Sequence, residues 1–143
     1  MPGTPHDPDG LLRFPTYVLG RLHKALHHQI EVSLREHWVL VCLDEQKDLS
    51  QQEVSDSLGI DRSEVVRLVD ALEDAGHVVR TRDGTDRRKY RLSLTAAGRA
   101  ERVRVDTLIA TATDRVFAGL SPDERHTLHR LALKALGAEV TGE

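Results

Sequence analysis

Leucine and isoleucine recur at intervals of three and four residues in the first part of the chain, at Leu19, Leu22, Leu26 and Ile30. This spacing places their side chains on one face of an α-helix. Pro15 lies just before them, and proline suits the first turn of a helix because its missing N–H would have no partner there. The sequence therefore predicts an amphipathic helix that begins near Pro15.

The next apolar segment, WVLVCL at residues 38–43, has no polar face. Six such residues would also suit a buried strand, but a helix-start signal at Ser33 and Glu36 precedes them. We therefore predict a helix that is buried on all sides and forms the spine of the domain.

Four segments carry the same start signal, in which Ser or Asp is followed three residues later by Glu. In such a capping box the first side chain accepts a hydrogen bond from a free N–H of the first turn, and the Glu accepts one from the backbone N–H of the cap. The boxes pair Ser33 with Glu36, Ser50 with Glu53, Asp61 with Glu64, and Ser121 with Glu124. Apolar spacing also predicts a long helix from Thr95 to near Gly119 and a last helix after Ser121.

The middle of the chain predicts two short helices joined by a tight turn. The first covers about residues 50–58, Gly59 and Ile60 form the turn, and the second covers about residues 61–75. Gly76 is a typical helix stop because it adopts the left-handed conformation without strain. Two such helices form a helix-turn-helix, whose second helix fits a DNA major groove.

After Gly76 the period of the pattern changes from helical to two. Val79 and Thr81 alternate with two arginines, and after the turn segment DGTD the apolar and polar residues alternate again. The second set of apolar positions is Tyr90, Leu92 and Leu94. This predicts a β-hairpin with one apolar and one polar face. A basic hairpin that follows a helix-turn-helix is typical of a winged helix.

Positive charge is concentrated around this hairpin. The formal net charge of the chain is −3, with 20 Lys and Arg against 23 Asp and Glu. Residues 80–104 hold nine of the positive and three of the negative residues, a net of +6, which leaves −9 for the rest. A charge run often does no more than solvate a face. A basic patch on an acidic protein instead favours a polyanionic partner.

Residues 34–99 resemble a transcriptional regulator of the MarR family. The most specific parts are RLVDALEDAGHVVR, then the wing pair Asp86 and Arg88, then LSLTAAGR. The resemblance implies a mainly α fold with a small β-hairpin: a winged helix-turn-helix with N- and C-terminal dimerisation helices. We expect a disordered lead-in at residues 1–10 and a single domain at 11–143. Within it the winged helix covers about 34–98 and the dimerisation helices about 11–32 and 99–140.

The resemblance also implies a function: a homodimer that binds a pseudo-palindromic operator on double-stranded DNA. Such dimers usually repress nearby genes and release DNA when a small, often aromatic, effector binds between the dimer helices and the DNA-binding lobe. A single cysteine, Cys42, fits a reducing compartment, so we expect the protein to be cytoplasmic. We expect no cofactor. We also expect no membrane partner, since no run of about 18 apolar residues exists.

Candidate DNA contacts lie on the predicted recognition helix and on the wing. Arg62, Ser63 and Arg67 lie in the first two turns of the helix, where base contacts usually originate. In the wing, the resemblance implies that the Arg88 side chain enters the minor groove and that Asp86 helps to fix it. We expect Arg87 and Lys89 to contact phosphates. The alternative is a wing tip that is merely solvated.

Two of these positions have competing interpretations. Arg67 would not contact DNA if it formed an ion pair with Asp70 or another acidic neighbour. Glu64 replaces a small hydroxyl residue that is common in the family, and it could accept a hydrogen bond from cytosine. We prefer the capping box with Asp61 as the role of Glu64. Val66, which also replaces a hydroxyl residue, would meet a thymine methyl group or pack internally.

The eight histidines and the one cysteine raise the hypothesis of a metal- or redox-sensing regulator. His23 and His27 are four residues apart on one helix face, but no cysteine or carboxylate pair completes a zinc site. We expect these two histidines to line an effector pocket instead, together with Trp38. Cys42 lies in an apolar segment, and burial makes a thiol inert.

An enzyme is the competing class of protein, but no nucleophile elbow, phosphate loop or HExxH motif occurs. A winged helix that binds another protein is a further alternative, although an acidic or apolar wing would suit it better. The sequence therefore predicts a DNA-binding regulator and not an enzyme.

Overall fold

The computed structural model describes residues 6–139. These residues form seven helices and a three-stranded sheet, which confirms the mainly α fold with a small β element. In chain order the elements are α1 (Asp9–Leu12), α2 (Pro15–His28), α3 (Leu34–Glu45), β1 (Leu49–Ser50), α4 (Gln51–Leu58), α5 (Arg62–Asp74), β2 (Val78–Arg82), β3 (Tyr90–Leu94), α6 (Ala96–Val116) and α7 (Pro122–Leu136).

The chain divides into two compact units. Ile30–Ile109 form one unit, here called the central unit, which contains α3 to β3 and the first part of α6. The described residues before Ile30 and those from Ala110 onward form the other, here called the outer unit.

The core of the central unit forms around α3. Val39, Leu40 and Leu43 are buried, and they belong to one cluster with buried side chains of α4, α5 and the sheet. The other members of the cluster are Leu49, Val54, Ile60, Val65, Val69, Leu72, Val78 and Leu92. α3 is therefore the predicted spine. It is not buried on all sides, because Trp38 remains 38% exposed.

A helix begins directly after each of the four predicted capping residues, and at three of them the capping side chain forms its hydrogen bond. The hydroxyl of Ser33, Ser50 and Ser121 each accepts a hydrogen bond from the backbone N–H of the Glu three residues later. Only the box at Ser121 is complete among these, since Glu124 also accepts from the N–H of Ser121, 2.8 Å away. The fourth signal, at Asp61, forms no such bond.

The sheet has β3 in its centre, with β1 and β2 antiparallel on either side. β1 is a two-residue strand in which Leu49 pairs with Leu92, and the sequence pattern did not predict it. Two residues are too few to show an alternating pattern. The strand is therefore recognisable only by its pairing with β3, 43 positions further along the chain.

The predicted inner face of β2 was wrong. We expected Val79 and Thr81 on the apolar face, but both are exposed, whereas Val78 is buried and Arg80 half-buried. The register places Val78 opposite Leu94 and Arg80 opposite Leu92. Arg80 tolerates this position because its guanidinium pairs with Asp70 and Glu73 of α5. The ion pairs compensate for part of the desolvation of the charge.

The start of α6 packs against the backbone that precedes β2. A Cβ atom added to Gly98 would lie 2.1 Å from the carbonyl oxygen of His77. Thr95 donates a hydrogen bond to the carbonyl of Gly76 and accepts one from the N–H of Gly98. Thr95 thus caps α6, as expected, and also ties this helix to the end of the turn after α5.

The outer unit contains helices that bury little within one chain. Neither α2 nor α7 has a buried residue, although both carry apolar side chains. Leu19 of α2 is 58% exposed, and Leu131 and Leu136 of α7 are 48% and 80% exposed.

Of the lead-in predicted to be disordered, residues 1–5 lie outside the described part of the chain. From His6 onward the chain is placed, and Asp9 already begins α1. The Asp7 carboxylate accepts a hydrogen bond from the Tyr17 hydroxyl at 2.5 Å and pairs with Arg21 at 3.0 Å. These two contacts attach the segment before α1 to α2.

Candidate nucleic-acid interface

The helix-turn-helix consists of α4 and α5. α4 ends at Gly59, whose φ of 65° is the left-handed conformation that favours glycine. Ile60 then turns inward, and its carbonyl accepts a hydrogen bond from the Ser55 hydroxyl at 2.5 Å. The turn is therefore held by a buried apolar side chain and a buried hydrogen bond.

The apolar side of α5 determines which side chains face outward. Val65 and Val69 are fully buried against α3 and α4, so residues about half a turn away must point to solvent. Ser63 and Arg67 occupy that outward face, and Arg62 is exposed beside them. The three predicted contacts on the recognition helix thus lie on one accessible surface.

Arg67 does not form the ion pair with Asp70 that we considered. The Asp70 carboxylate binds the Arg80 guanidinium instead. Within residues 6–139, the Arg67 side chain has neither an ion-pair nor a hydrogen-bond partner, so its donors are available to a ligand.

The predicted capping box between Asp61 and Glu64 was wrong. Asp61 instead accepts a hydrogen bond from the Ser63 hydroxyl, and the Glu64 carboxylate binds the guanidinium of Arg35 at the start of α3. The backbone N–H of Glu64 bonds the main-chain oxygen of Asp61. A charged partner offers a carboxylate a stronger interaction than a neutral N–H, which accounts for the difference.

The wing turn is organised by Asp83, a residue that sequence reasoning did not single out. Its buried carboxylate accepts hydrogen bonds from the N–H and the hydroxyl of Thr85, both at 2.8 Å, and from Nε of Arg91 at 2.9 Å. The bonds from Thr85, followed by those from Asp86 and Arg91, hold the pKa of Asp83 well below its usual range. The segment DGTD predicted a turn, but it did not predict that the Asp83 side chain would accept several hydrogen bonds there.

Asp86 and Arg88 lie together at the wing tip, as the resemblance implied. The Asp86 carboxylate accepts from the backbone N–H of Arg88 at 3.0 Å and from its Nε at 3.2 Å. These bonds lower the pKa of Asp86. The Arg88 side chain is 91% exposed, so the contact orients a guanidinium that projects into solvent.

The basic residues of the central unit divide into two groups. Six of them bind carboxylates of the same unit: Arg35, Arg80, Arg88, Arg91, Arg102 and Arg104. The other seven form no ion pair within the described residues: Lys47, Arg62, Arg67, Arg82, Arg87, Lys89 and Arg99. The uncompensated charge of this unit therefore includes the recognition helix and the wing tip.

A cleft of about 330 Å³ joins these two elements. The cleft is lined by three cations, Arg62 of α5 and Arg88 and Lys89 of the wing, and by Tyr90 beside them. The remaining lining residues are Ser50, Gln51 and Gln52 at the start of α4. The geometry places cationic and polar donors around one concave surface, which suits an anionic ligand.

The predicted effector residues are distributed over both units. In the outer unit, the rings of His23 and His27 lie with their centroids 4.1 Å apart. A cavity of about 530 Å³ next to α2 is lined by His28 and not by these two histidines. Trp38 belongs to the central unit, where the Arg35 guanidinium lies 6.0 Å from its ring centre.

The structure gives little support to the hypothesis of a metal- or redox-sensing regulator. No cluster of three or more potential metal ligands occurs among residues 6–139. Cys42 is half-buried, and burial raises the pKa of its thiol, which lowers the fraction of reactive thiolate. None of the helices in this part of the chain is long and apolar enough to cross a membrane.

Known proteins resemble this chain in sequence and in structure. Residues 30–89 match the model of the MarR family. The HTH-type transcriptional regulator TtmR of Methylorubrum extorquens is 32% identical over 87% of this chain, although the chain spans only 65% of the length of TtmR.

Two solved structures extend the comparison to nearly the full chain. The transcriptional repressor CouR, bound to a 23-mer DNA duplex, is 31% identical over 93% of this chain and 99% of its own, with a TM-score of 0.79. The PcaV transcriptional regulator of Streptomyces coelicolor, in complex with its natural ligand, is 27% identical over 90% of this chain and 95% of its own, with a TM-score of 0.76. The chain belongs to the MarR family of transcriptional regulators and has a winged helix-turn-helix fold.

Proposed function

We propose that this protein is a cytoplasmic repressor that binds a pseudo-palindromic operator as a homodimer and leaves it when a small effector binds. In this proposal the two copies of α5 enter major grooves about one helical turn, roughly 34 Å, apart. The wings reach the adjoining minor grooves. The complex of the similar repressor CouR with a DNA duplex supports DNA as the ligand.

One observation carries the proposal: the cations on α5 and the wing that have no internal partner. Arg67 projects from the recognition face, and Arg87 and Lys89 project from the wing tip, without an ion pair within the described residues. An uncompensated charge costs stability through repulsion, and bound phosphates would remove that cost. Arg88, oriented by Asp86, has the planar head that suits a narrow minor groove.

Homodimer formation is supported by the outer unit. α2 and α7 expose apolar side chains, and neither buries a residue within the chain. Apolar side chains exposed on helices that bury no residue within the chain favour an interface with a partner. A second copy of the chain would cover these side chains. The resemblance to the MarR family implies the same role for the N- and C-terminal helices.

Release by an effector is supported by the ligand complex of the similar regulator PcaV. The chain contains cavities of a size that holds small molecules, such as the 530 Å³ cavity beside α2. We propose His23, His27 and Trp38 as effector contacts on the basis of the sequence, since none of the three lines this cavity. An effector acts only through its higher affinity for the state that does not bind DNA.

A binding isotherm on the DNA upstream of the gene for this chain, against scrambled DNA at several salt concentrations, tests the proposal. We expect preference for the upstream fragment and a steep linear fall of log affinity with log salt. Small aromatic compounds would then be screened for release of the DNA. Negligible affinity for every fragment at low salt would refute the proposal and favour the alternative, a winged helix that binds another protein.

A further inference from the structure

The contact between Arg35 and Glu64 joins α3 to the recognition helix. Nη1 of Arg35 donates a hydrogen bond to Oε1 of Glu64, and the two side chains are 52% and 25% exposed. The Arg35 guanidinium also lies 6.0 Å from the centre of the Trp38 ring. Both contacts restrict the guanidinium to one region of the surface.

Glu64 lies on the flank of α5 that faces away from the wing. Successive residues of an α-helix are separated by about 100°, so Arg62 and Glu64 point to nearly opposite flanks. Arg62 lines the cleft with the wing, whereas Glu64 contacts the first turn of α3. The Arg35 guanidinium therefore flanks the recognition helix on the side opposite to the cations of the wing.

A carboxylate in the first turn of a recognition helix would repel DNA phosphates if it stood alone. Arg35 neutralises it and retains further donors, since a guanidinium has five N–H groups and only Nη1 has a hydrogen-bond partner among residues 6–139. A half-exposed arginine held by a carboxylate presents those donors with little loss of side-chain entropy on binding.

We propose that Arg35 is a further contact to the DNA backbone and that Glu64 is its positioning residue. The inference rests on the proposed DNA-binding function and adds a phosphate contact on the far flank of α5. It also gives Glu64, an acidic residue next to DNA, a role that favours binding. Arg35 and the wing would then hold the backbone on both sides of the recognition helix.

The first test is the salt dependence of binding by Arg35→Ala. Loss of one phosphate contact from each subunit should lower the slope of log affinity against log salt by about 1.8, which is two contacts at about 0.9 each. Affinity at low salt should fall by at least roughly tenfold. Arg104→Ala is the matched control, because the Arg104–Glu101 pair is similarly exposed, at 55% and 22%, and lies within α6.

The second test is the sign of the effect of Glu64→Gln in two backgrounds. With Arg35 present, Glu64→Gln should weaken DNA binding severalfold, because the guanidinium loses its anchor. In Arg35→Ala, the same change should strengthen binding, because it removes an unpaired carboxylate near the phosphates. An ordinary surface ion pair without a role in binding would show no such reversal.

The outcomes separate the inference from the function on which it rests. If the wild type binds DNA with a steep slope and Arg35→Ala keeps that slope, the inference is refuted and the DNA-binding function stands. If Glu64→Gln strengthens binding in both backgrounds, Glu64 is not a positioning residue. If the wild type binds no DNA at all, the proposed function itself fails. Arg35→Gln is a second variant, should the alanine variant prove unstable on thermal unfolding.

Discussion

At the scale of single residues, the wing depends on one buried carboxylate. Asp83 accepts four hydrogen bonds, from both donors of Thr85, from the N–H of Asp86 and from Arg91. Its pKa is held low by these bonds, most of all by those from Thr85. The ionised form of Asp83 is therefore the form that stabilises the turn below the wing tip.

The low pKa of Asp83 predicts a pH-dependent difference between the wild type and Asp83→Asn. A carboxylate with a lowered folded-state pKa contributes stability that is present above its unfolded pKa, about 3.9, and is lost as the pH falls toward the folded value. We expect the wild type to be more stable than Asp83→Asn at pH 7, and the gap in free energy of unfolding to shrink below about pH 4.

Chemical denaturation at a series of pH values measures this gap. Asp74→Asn is the control, because Asp74 is exposed and has no ion pair in the described part of the chain. A gap for Asp83→Asn that stays constant from pH 7 to pH 3 would contradict the expected role of its ionised carboxylate.

Position 98 requires a glycine because the backbone of His77 lies too close for a Cβ atom. We expect Gly98→Ala to lower the free energy of unfolding by about 1–3 kcal/mol, since the added methyl group would overlap the His77 backbone and force α6 outward. The control is Gly119→Ala, where nothing lies within 4 Å of the new Cβ atom. Thermal or urea unfolding measures both, and equal stability of the two variants would contradict the packing argument.

At the scale of elements, α5 and the wing present two kinds of cation. Arg67 lies on the outward face of a helix that would enter the major groove, where base edges are read. Lys89 lies at the wing tip, and as a flexible point charge it suits phosphate contact. The two side chains should therefore contribute differently to specificity and to affinity.

Competition between operator and scrambled DNA distinguishes these contributions. Arg67→Ala should reduce the preference for the operator by about 1–3 kcal/mol for each half-site in which the side chain binds a base pair. Lys89→Ala should weaken binding to both DNAs similarly and lower the salt slope by about 0.9 per subunit. Similar effects of both variants on the preference would show that the two cations act in the same way.

Between elements, several contacts that the sequence did not predict link distant positions. Glu64 binds Arg35, which is 29 positions away, and Arg91 bonds the carbonyl of Asp48 across 43 positions. A helix cap or an apolar stripe depends on neighbours within about four residues, so the sequence reveals it. A partner that the fold brings from another element leaves no such local pattern.

For the molecule as a whole, the proposed mode of DNA binding requires a second copy of the chain. We expect Leu131→Glu to convert a dimer into a monomer, because it would place a charge in a desolvated interface. Val79→Glu is the control, since Val79 is exposed to a similar extent, 45% against 48%, but lies on β2. Sedimentation equilibrium measures both, and a wild type that is monomeric at micromolar concentration would refute the dimer.

The local elements of the chain and the excess of positive charge on one part of it can be predicted from the sequence alone. Ser33, Ser50 and Ser121 cap helices as their spacing predicted, and residues 38–43 lie in the helix whose side chains anchor the core. The excess of positive charge at residues 80–104 also follows from the chain alone. These features depend on neighbouring residues or on composition, so they need no knowledge of the fold.

Which of those charges are available to a ligand depends instead on how the elements pack together. The tertiary structure paired Arg80 with Asp70 and Arg91 with Asp83, left Arg67 and Lys89 without an ion pair among the described residues, and assigned Glu64 to Arg35. It also decided that Val78, and not Val79, faces the core. The physical reason is that ion pairing and strand orientation depend on which elements pack together, and an alternating pattern alone does not distinguish the two faces of a short strand.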